Sequence, residues 1–172
     1  MLLTNDFAVI VSTDFSKAFD TALFDKMGSL DLSDEIYIWM VSYYSNRSHV
    51  TRYLGSTSGV AYISASIVQG SGFGPPSYIV VASDLHPKHE CNVIVKFAND
   101  TYLLVGSNHL STATEEFEHI SAWAMENNLR LNPNKTRELI VIRKGRKSIT
   151  CPPLIIPGAS RVSTIRVLCV TI

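Results

Sequence analysis

The chain has 172 residues, 46% of them hydrophobic and 17% charged, with 15 acidic and 15 basic side chains in balance. That length fits one domain with a substantial core, and that composition excludes a disordered chain. No apolar run reaches the ~20 residues that span a bilayer, and the N-terminus, with Asp6 and Asp14 and no basic opening, is not a secretory signal.

In chain order, Phe7–Thr13 reads as a buried strand ending at Asp14, because its apolar run is short and rich in β-branched residues. Residues 17–30 read as a helix, with Ala18, Phe19, Ala22, Leu23 and Met27 at helical spacing and Gly28 near the end. Ser33 with Asp34 and Glu35 opens a second helix through Trp39 and Met40. Residues 50–54 and 60–67 read as strands. Gln69–Gly74 is a glycine-rich turn, and Pro75 starts a helix reaching about Leu85, since proline suits a first helical turn. Residues 93–97 and 100–105 are two apolar runs two residues apart, the spacing of a β-hairpin. Ser111 caps a helix through Phe117, Ile120, Trp123 and Ala124. Residues 138–142 and 165–172 read as further strands. Helices mixed with strands in this order predict an α+β domain: a mainly antiparallel sheet with helices packed on one face.

The charge is unevenly spread. Residues 1–129 carry 14 acidic against 6 basic side chains, whereas residues 130–172 carry 9 basic ones against Glu138 alone. An acidic body with a basic C-terminal part suits a cation-binding floor beside a phosphate-contacting flank, although basic residues also cluster by chance. Cys91, Cys151 and Cys169 lie far apart, which predicts neither a disulfide framework nor a zinc site and fits a reducing compartment. Together these features predict an intracellular protein, cytoplasmic or nuclear, with no membrane contact.

Four segments carry chemistry. Asp14-Phe15-Ser16-Lys17-Ala18-Phe19-Asp20 puts a carboxylate at a strand end before a helix. Gln69-Gly70-Ser71-Gly72-Phe73-Gly74-Pro75 is a glycine loop leading into a helix. Phe97-Ala98-Asn99-Asp100 is a tight hairpin, a place where an acidic side chain is lifted above a sheet and can meet a divalent metal. Leu131-Asn132-Pro133-Asn134-Lys135-Thr136 follows the helix that holds Trp123. Each segment alone also suits an ordinary role. Asn99 and Asp100 are common turn residues, Asp14 is a strand-end polar residue, Phe19 lies on an amphipathic helix, and Lys135 is a surface lysine.

In this order the segments resemble the palm of reverse transcriptases, especially those of non-LTR, LINE-like retrotransposons. The family's forms are D-F-S-K-A-F-D, P-Q-G-S-x-L-G-P, F-A-D-D-T and L-N-x-x-K-T. Tyr43–Arg47 and Ser83–Leu85 are smaller echoes, and the resemblance covers nearly the whole chain. It implies RNA-templated DNA synthesis by two-metal nucleotidyl transfer, with Mg²⁺ as cofactor and an RNA template, a DNA primer and deoxynucleoside triphosphates as partners. It implies Asp14, the Phe15 backbone carbonyl and Asp100 as metal ligands, Phe19 as a screen against the sugar 2′-hydroxyl, and Gln69, Gly70, Ser71 and Gly74 as contacts to the nascent base pair. It implies for Lys135 a place near the pyrophosphate.

The match has departures. Asn99 stands where the family has its principal metal-ligating aspartate, and a neutral amide binds Mg²⁺ weakly. Val68 replaces a proline, Gly72-Phe73 and Pro76 alter the glycine loop, and Cys169 stands where a closing strand has glycine. Little precedes Asp14, so the fingers are expected to be largely missing, and residues 130–172 lead toward a missing thumb. Residues 1–172 are therefore expected to be a partial reverse transcriptase domain, impaired by Asn99 and by truncation. The alternative is a non-catalytic retroelement remnant with at most weak nucleic-acid binding. An unrelated α+β RNA-binding module is disfavoured, because no aromatic stacking motif of that class is present.

Overall fold

The structure, a computed structural model, describes residues 1–16, 20–63, 71–97, 100–145, 150, 152–167 and 170–172. In chain order its elements are β1 (Phe7–Ser16), α1 (Asp20–Gly28), α2 (Asp34–Tyr44), β2 (Arg47–His49), β3 (Arg52–Tyr53), β4 (Ser56–Thr57), β5 (Ala61–Ile63), α3 (Gly74–Val81), β6 (Val93–Phe97), β7 (Asp100–Gly106), α4 (Ala113–Glu126), β8 (Arg130–Leu131), β9 (Arg137–Ile142), β10 (Ser160–Arg161), β11 (Arg166–Val167) and β12 (Val170–Thr171). The fold class is α+β. The chain divides into two compact units, Met1–Ser16 with Asp84–Ile172, and Lys17–Ser83.

The first unit is built on a sheet of order β10-β9-β1-β7-β6, with β8 pairing the far end of β1. Every pairing is antiparallel except β10 with β9. β1 is central because its two edges are both used, Val9 standing opposite Val105 on β7 and Ile140 on β9. Alternation along the strand sorts its side chains by face. Val9, Val11, Thr13 and Phe15 are buried on one side. On that side the Phe15 ring meets Trp123 of α4 edge-on, with centroids 5.7 Å apart. α4 buries Ala113, Glu116, Ile120, Trp123 and Ala124, the stripe that a 3.6-residue period places on one face. Each fully buried Val, Leu or Ile here stabilises by roughly 1.5–3 kcal/mol.

The opposite face is covered by the C-terminal segment. Tyr102, Leu139 and Ile165 form a buried cluster, with Ile10, Leu104, Val141, Val162 and Val167 packed against it. Residues 165–172 are therefore not one strand, as the apolar run predicts, but the hairpin β11–β12. Its ends are tied by bonds of 3.0 and 2.9 Å between the Ile165 and Ile172 main chains, and burial of Ile165 turns the segment back on itself.

Two carboxylates are fully buried in this unit. Glu116 accepts from the Lys88 amide at 2.6 Å, the His89 amide at 3.1 Å and the Asn92 side chain at 2.9 Å, and so fixes the segment entering β6. Glu138 is paired with Arg161, whose Nε donates at 3.0 Å, and accepts the Ile155 amide at 3.0 Å. Gly106 ends β7 against Asn5, where an added Cβ would lie 2.6 Å from the Asn5 Oδ1. Ser111 does not cap α4 as the sequence predicts. It lies in a 3-10 turn, Ser107–Thr112, that runs directly into the helix, so the first α4 amides continue a turn already begun.

The second unit packs α1 with α2 and α3. Phe24 meets Tyr44 edge-on at 5.8 Å, the Tyr44 hydroxyl bonds Ser77 at 2.9 Å, and the Lys26 ammonium donates to the Val81 carbonyl. α3 stops at Val81, short of the predicted Leu85. Residues 46–63 form an arm of two short ladders, β2 with β5 and β3 with β4, and of the predicted 50–54 strand Arg52–Tyr53 alone is paired. Leu54 and Gly55 turn the arm with φ of 46° and 81°, the left-handed pair that matches hairpin twist. Residues 64–70, part of the predicted 60–67 strand and of the glycine turn, lie outside the described residues.

Candidate functional site

β1 delivers Asp14 to the face opposite Phe15, one residue before its main chain is taken over by β8. The register places Asp14 directly across from Asp100, the first residue of β7, and Ser12 across from Tyr102. β6 and β7 form the predicted hairpin, with Phe97 paired to Asp100. Its two turn residues, Ala98 and Asn99, lie outside the described residues. Two carboxylates 86 positions apart in sequence thus meet because each ends or begins a strand at the same rung of one ladder.

A third group arrives from β8. The Asn132 amide donates to the Asp14 carbonyl at 3.0 Å, and the Lys135 and Thr136 amides donate to the Asn132 carbonyl at 3.0 and 3.1 Å. This closes the turn Pro133–Lys135. It brings the Lys135 Nζ to 2.8 Å from Asp14 Oδ2, an ion pair in which the Asp14 side chain is 14% exposed and the Lys135 side chain 65%. The bond to Asp14, and then the fields of Asp14 and Asp100, hold the Lys135 ammonium above the usual lysine range. Burial, and secondarily the Asp100 charge, pushes the Tyr102 phenol up. The Lys135 shift is the sign of negative charge gathered at this end of β1 and β7.

The remaining predicted site residues divide into two sets. Phe15 is in the core against Trp123, which leaves only its main chain for a role beside Asp14. Phe19, Gln69, Gly70 and Asn99 lie outside the described residues. Ser71 and Gly74 belong to the second unit. There the Gly74 amide donates to the Ser71 carbonyl at 3.2 Å, and the Ser71 hydroxyl is buried without a hydrogen-bond partner among the described residues. Among the described residues no three His, Cys, Asp or Glu side chains gather as a metal cluster. The Lys135–Asp14 bond is the feature that sequence reasoning missed. It depends on the pairing of β8 with β1, which no local pattern announces.

Over 169 residues the chain is 28% identical to the RNA-directed DNA polymerase from mobile element jockey of Drosophila melanogaster, covering 89% of this chain and 18% of that protein. Over 161 residues it is 27% identical to the polymerase of the same name from Drosophila funebris, covering 85% of this chain and 17% of that protein. The chain is similar to the reverse transcriptases of non-LTR mobile elements. No family model matches it. The chain spans less than a fifth of the length of these jockey relatives. With 89% of its residues aligned, the similarity takes in both units.

Proposed function

We propose that residues 1–172 are part of the palm of a non-LTR reverse transcriptase, a nucleotidyltransferase core whose activity in this copy is impaired by Asn99. The single observation that carries the reading is the Asp14–Asp100 rung, two carboxylates in register on adjacent strands in a chain similar to RNA-directed DNA polymerases. The donor chemistry fits magnesium, which takes hard oxygen ligands and keeps several of its waters, so that few carboxylates suffice. Asp14, Asp100 and the Phe15 carbonyl would hold it. Bound magnesium supplies charge stabilisation to a transferring phosphoryl group and acidifies an attacking hydroxyl.

The protein's own residues set the frame for that chemistry. The β1–β7 ladder holds the two carboxylates at a fixed rung, so the site needs little reorganisation. In this proposal Phe19 screens the sugar 2′-hydroxyl, and Gln69, Gly70, Ser71 and Gly74 present main chain to the nascent base pair, where glycine permits close approach. Lys135 stands beside the pyrophosphate, and the exposed Arg143, Lys144 and Arg166 are basic groups open to phosphates. The substrates are an RNA template, a DNA primer and deoxynucleoside triphosphates, and the place of action is inside the cell, cytoplasmic or nuclear. Among the described residues no helix is long and apolar enough to cross a membrane.

Asn99 favours a second reading, a retroelement remnant that keeps only weak nucleic-acid binding. One experiment separates the two. Residues 1–172 replace the corresponding stretch of the jockey polymerase, and Mg²⁺-dependent primer extension on RNA is measured for chimeras with Asn99 and with Asn99→Asp. The Asn99→Asp chimera is expected to be faster by ~10³-fold, the scale of a lost ligand to the metal, and Asp14→Asn or Asp100→Asn to silence it. Equal rates with Asn99 and Asn99→Asp remove the impairment. Full activity after Asp14→Asn removes the site assignment. Inactivity of every chimera favours the remnant.

A further inference from the structure

We propose that Lys135 is a resident counter-ion of Asp14 that competes with a divalent cation for the same carboxylate. The inference rests on the reading of Asp14 and Asp100 as metal ligands.

The geometry supplies the competition. Lys135 Nζ occupies hydrogen-bond distance, 2.8 Å, from Asp14 Oδ2. A magnesium ion binds carboxylate oxygen at about 2.0–2.1 Å with strict octahedral directions. The two cations cannot share that oxygen on the same side. The tether makes the lysine a persistent occupant. Its main chain is pinned through Asn132, whose amide is itself bonded to the Asp14 carbonyl, so the ammonium stays at high effective concentration beside the carboxylate.

The electrostatics supply the reason. Asp14 and Asp100 face each other across one rung of an antiparallel ladder, where like charges destabilise the pairing. Without a metal, a cation must offset them, and Lys135 lies within bonding distance of Asp14. The side chain is also able to leave, because 65% of it is exposed, against 14% for Asp14. The carboxylate is held while its partner can swing into solvent. Entry of a divalent ion is then an exchange of cations.

Manganese(II) is the probe, its free concentration read by electron paramagnetic resonance during titration of the full 172-residue chain. Lys135→Met is expected to bind Mn²⁺ several-fold more tightly than the unaltered chain, the scale of an exposed ion pair. It is also expected to have a lower unfolding midpoint without metal that Mn²⁺ restores. Lys135→Gln carries the same test if Lys135→Met fails to fold. Arg137→Gln is the control for general charge removal, because the Arg137 guanidinium bonds the Asn134 and Thr136 carbonyls. It is expected to leave the affinity unchanged. An equal gain in Arg137→Gln, or no gain in Lys135→Met while Asp14→Asn still weakens binding, overturns the competition and leaves the metal reading standing. Binding that ignores Asp14→Asn, or no binding by any variant, overturns the metal reading and this proposal with it.

Discussion

At Thr101 a hydroxyl is buried with no hydrogen-bond partner among the described residues. The residue is fully buried, although its carbonyl accepts from the Thr13 hydroxyl at 3.3 Å. An orphan buried hydroxyl costs about 1–3 kcal/mol of desolvation. Thr101→Val keeps the shape and removes the orphan, so it is expected to stabilise by about 1 kcal/mol, read as a higher urea midpoint at unchanged slope. A second expectation concerns pH. The Lys135 and Tyr102 groups are both held above their ordinary ranges. For Lys135 the folded state keeps its proton longer than the unfolded chain, so its contribution is full below ~10.4 and is lost as pH rises through the folded value. For Tyr102 the folded state likewise holds the proton, and ionisation above ~10 favours unfolding. Both signs agree: the unfolding midpoint is expected to fall above about pH 10, and Tyr102→Phe to flatten part of that fall in a thermal melt series.

At the scale of elements, the basic C-terminal part is not one surface. Lys135 is spent on Asp14, Arg137 on main-chain carbonyls, and Arg161 on Glu138 and the Pro152 and Pro153 carbonyls. Glu138, the lone acid of the stretch, is the anchor that joins β9 to the β10 segment. Arg161→Met leaves that carboxylate buried and uncompensated, and is expected to cost about 3–5 kcal/mol. The double replacement Glu138→Leu with Arg161→Met is expected to recover much of the loss, and chemical denaturation of the three chains checks it. Arg143, Lys144 and Arg166 stay exposed. If the chain binds RNA, Arg143→Ala with Lys144→Ala is expected to weaken binding to all sequences alike. It should also reduce the salt slope by up to about one per lost phosphate contact, in a fluorescence titration at several salt concentrations. A slope unchanged by these replacements would remove the idea.

The strand Phe7–Ser16 and the 93–105 hairpin were legible because a short β-branched apolar run and a two-residue gap are local signals. The approach of Asp14 to Asp100 was legible only through the family resemblance, which implies both as ligands of one metal site. The fate of residues 165–172 was not legible, because it depends on Ile165 finding Tyr102 and Leu139 across the sheet. Glu138 and Arg161 were equally silent. A charge at the start of an apolar strand reads as surface until its partner is known. The Ser111 boundary failed for a different reason, since a 3-10 turn and a helix cap present the same residue types.

For the whole molecule, the first unit is built from two separate stretches, Met1–Ser16 and Asp84–Ile172, whereas the second, Lys17–Ser83, is one continuous stretch of sequence. The second unit's charge is concentrated before residue 36. From Ile36 to Ser83 there is no acidic residue, and the ionisable side chains there that can carry positive charge are Arg47, His49 and Arg52. Residues 48–62 of its arm are all exposed, whereas β1 and β7 bury Val9, Val11, Leu103 and Val105 completely. Hydrogen exchange is therefore expected to be fast along the arm and slowest at β1 and β7, because protection follows burial and ladder depth. Arm amides as slow as those of β1 would contradict this division.

The central position of β1 also sets a problem in time. During synthesis this strand is made well before its neighbours β7 and β9, the pairing of Phe7 with Ile142 joining residues 135 positions apart. Synthesis proceeds at roughly 5–20 residues per second, so the apolar run Phe7–Val11 waits for seconds with both hydrogen-bonding edges open. Pairings this distant close slowly, and an uncovered strand of this kind invites the edges of other chains. Shielding of the Phe7–Val11 run until β7 and β9 are made is therefore expected to raise the yield of folded protein, read as soluble product with and without an added chaperone.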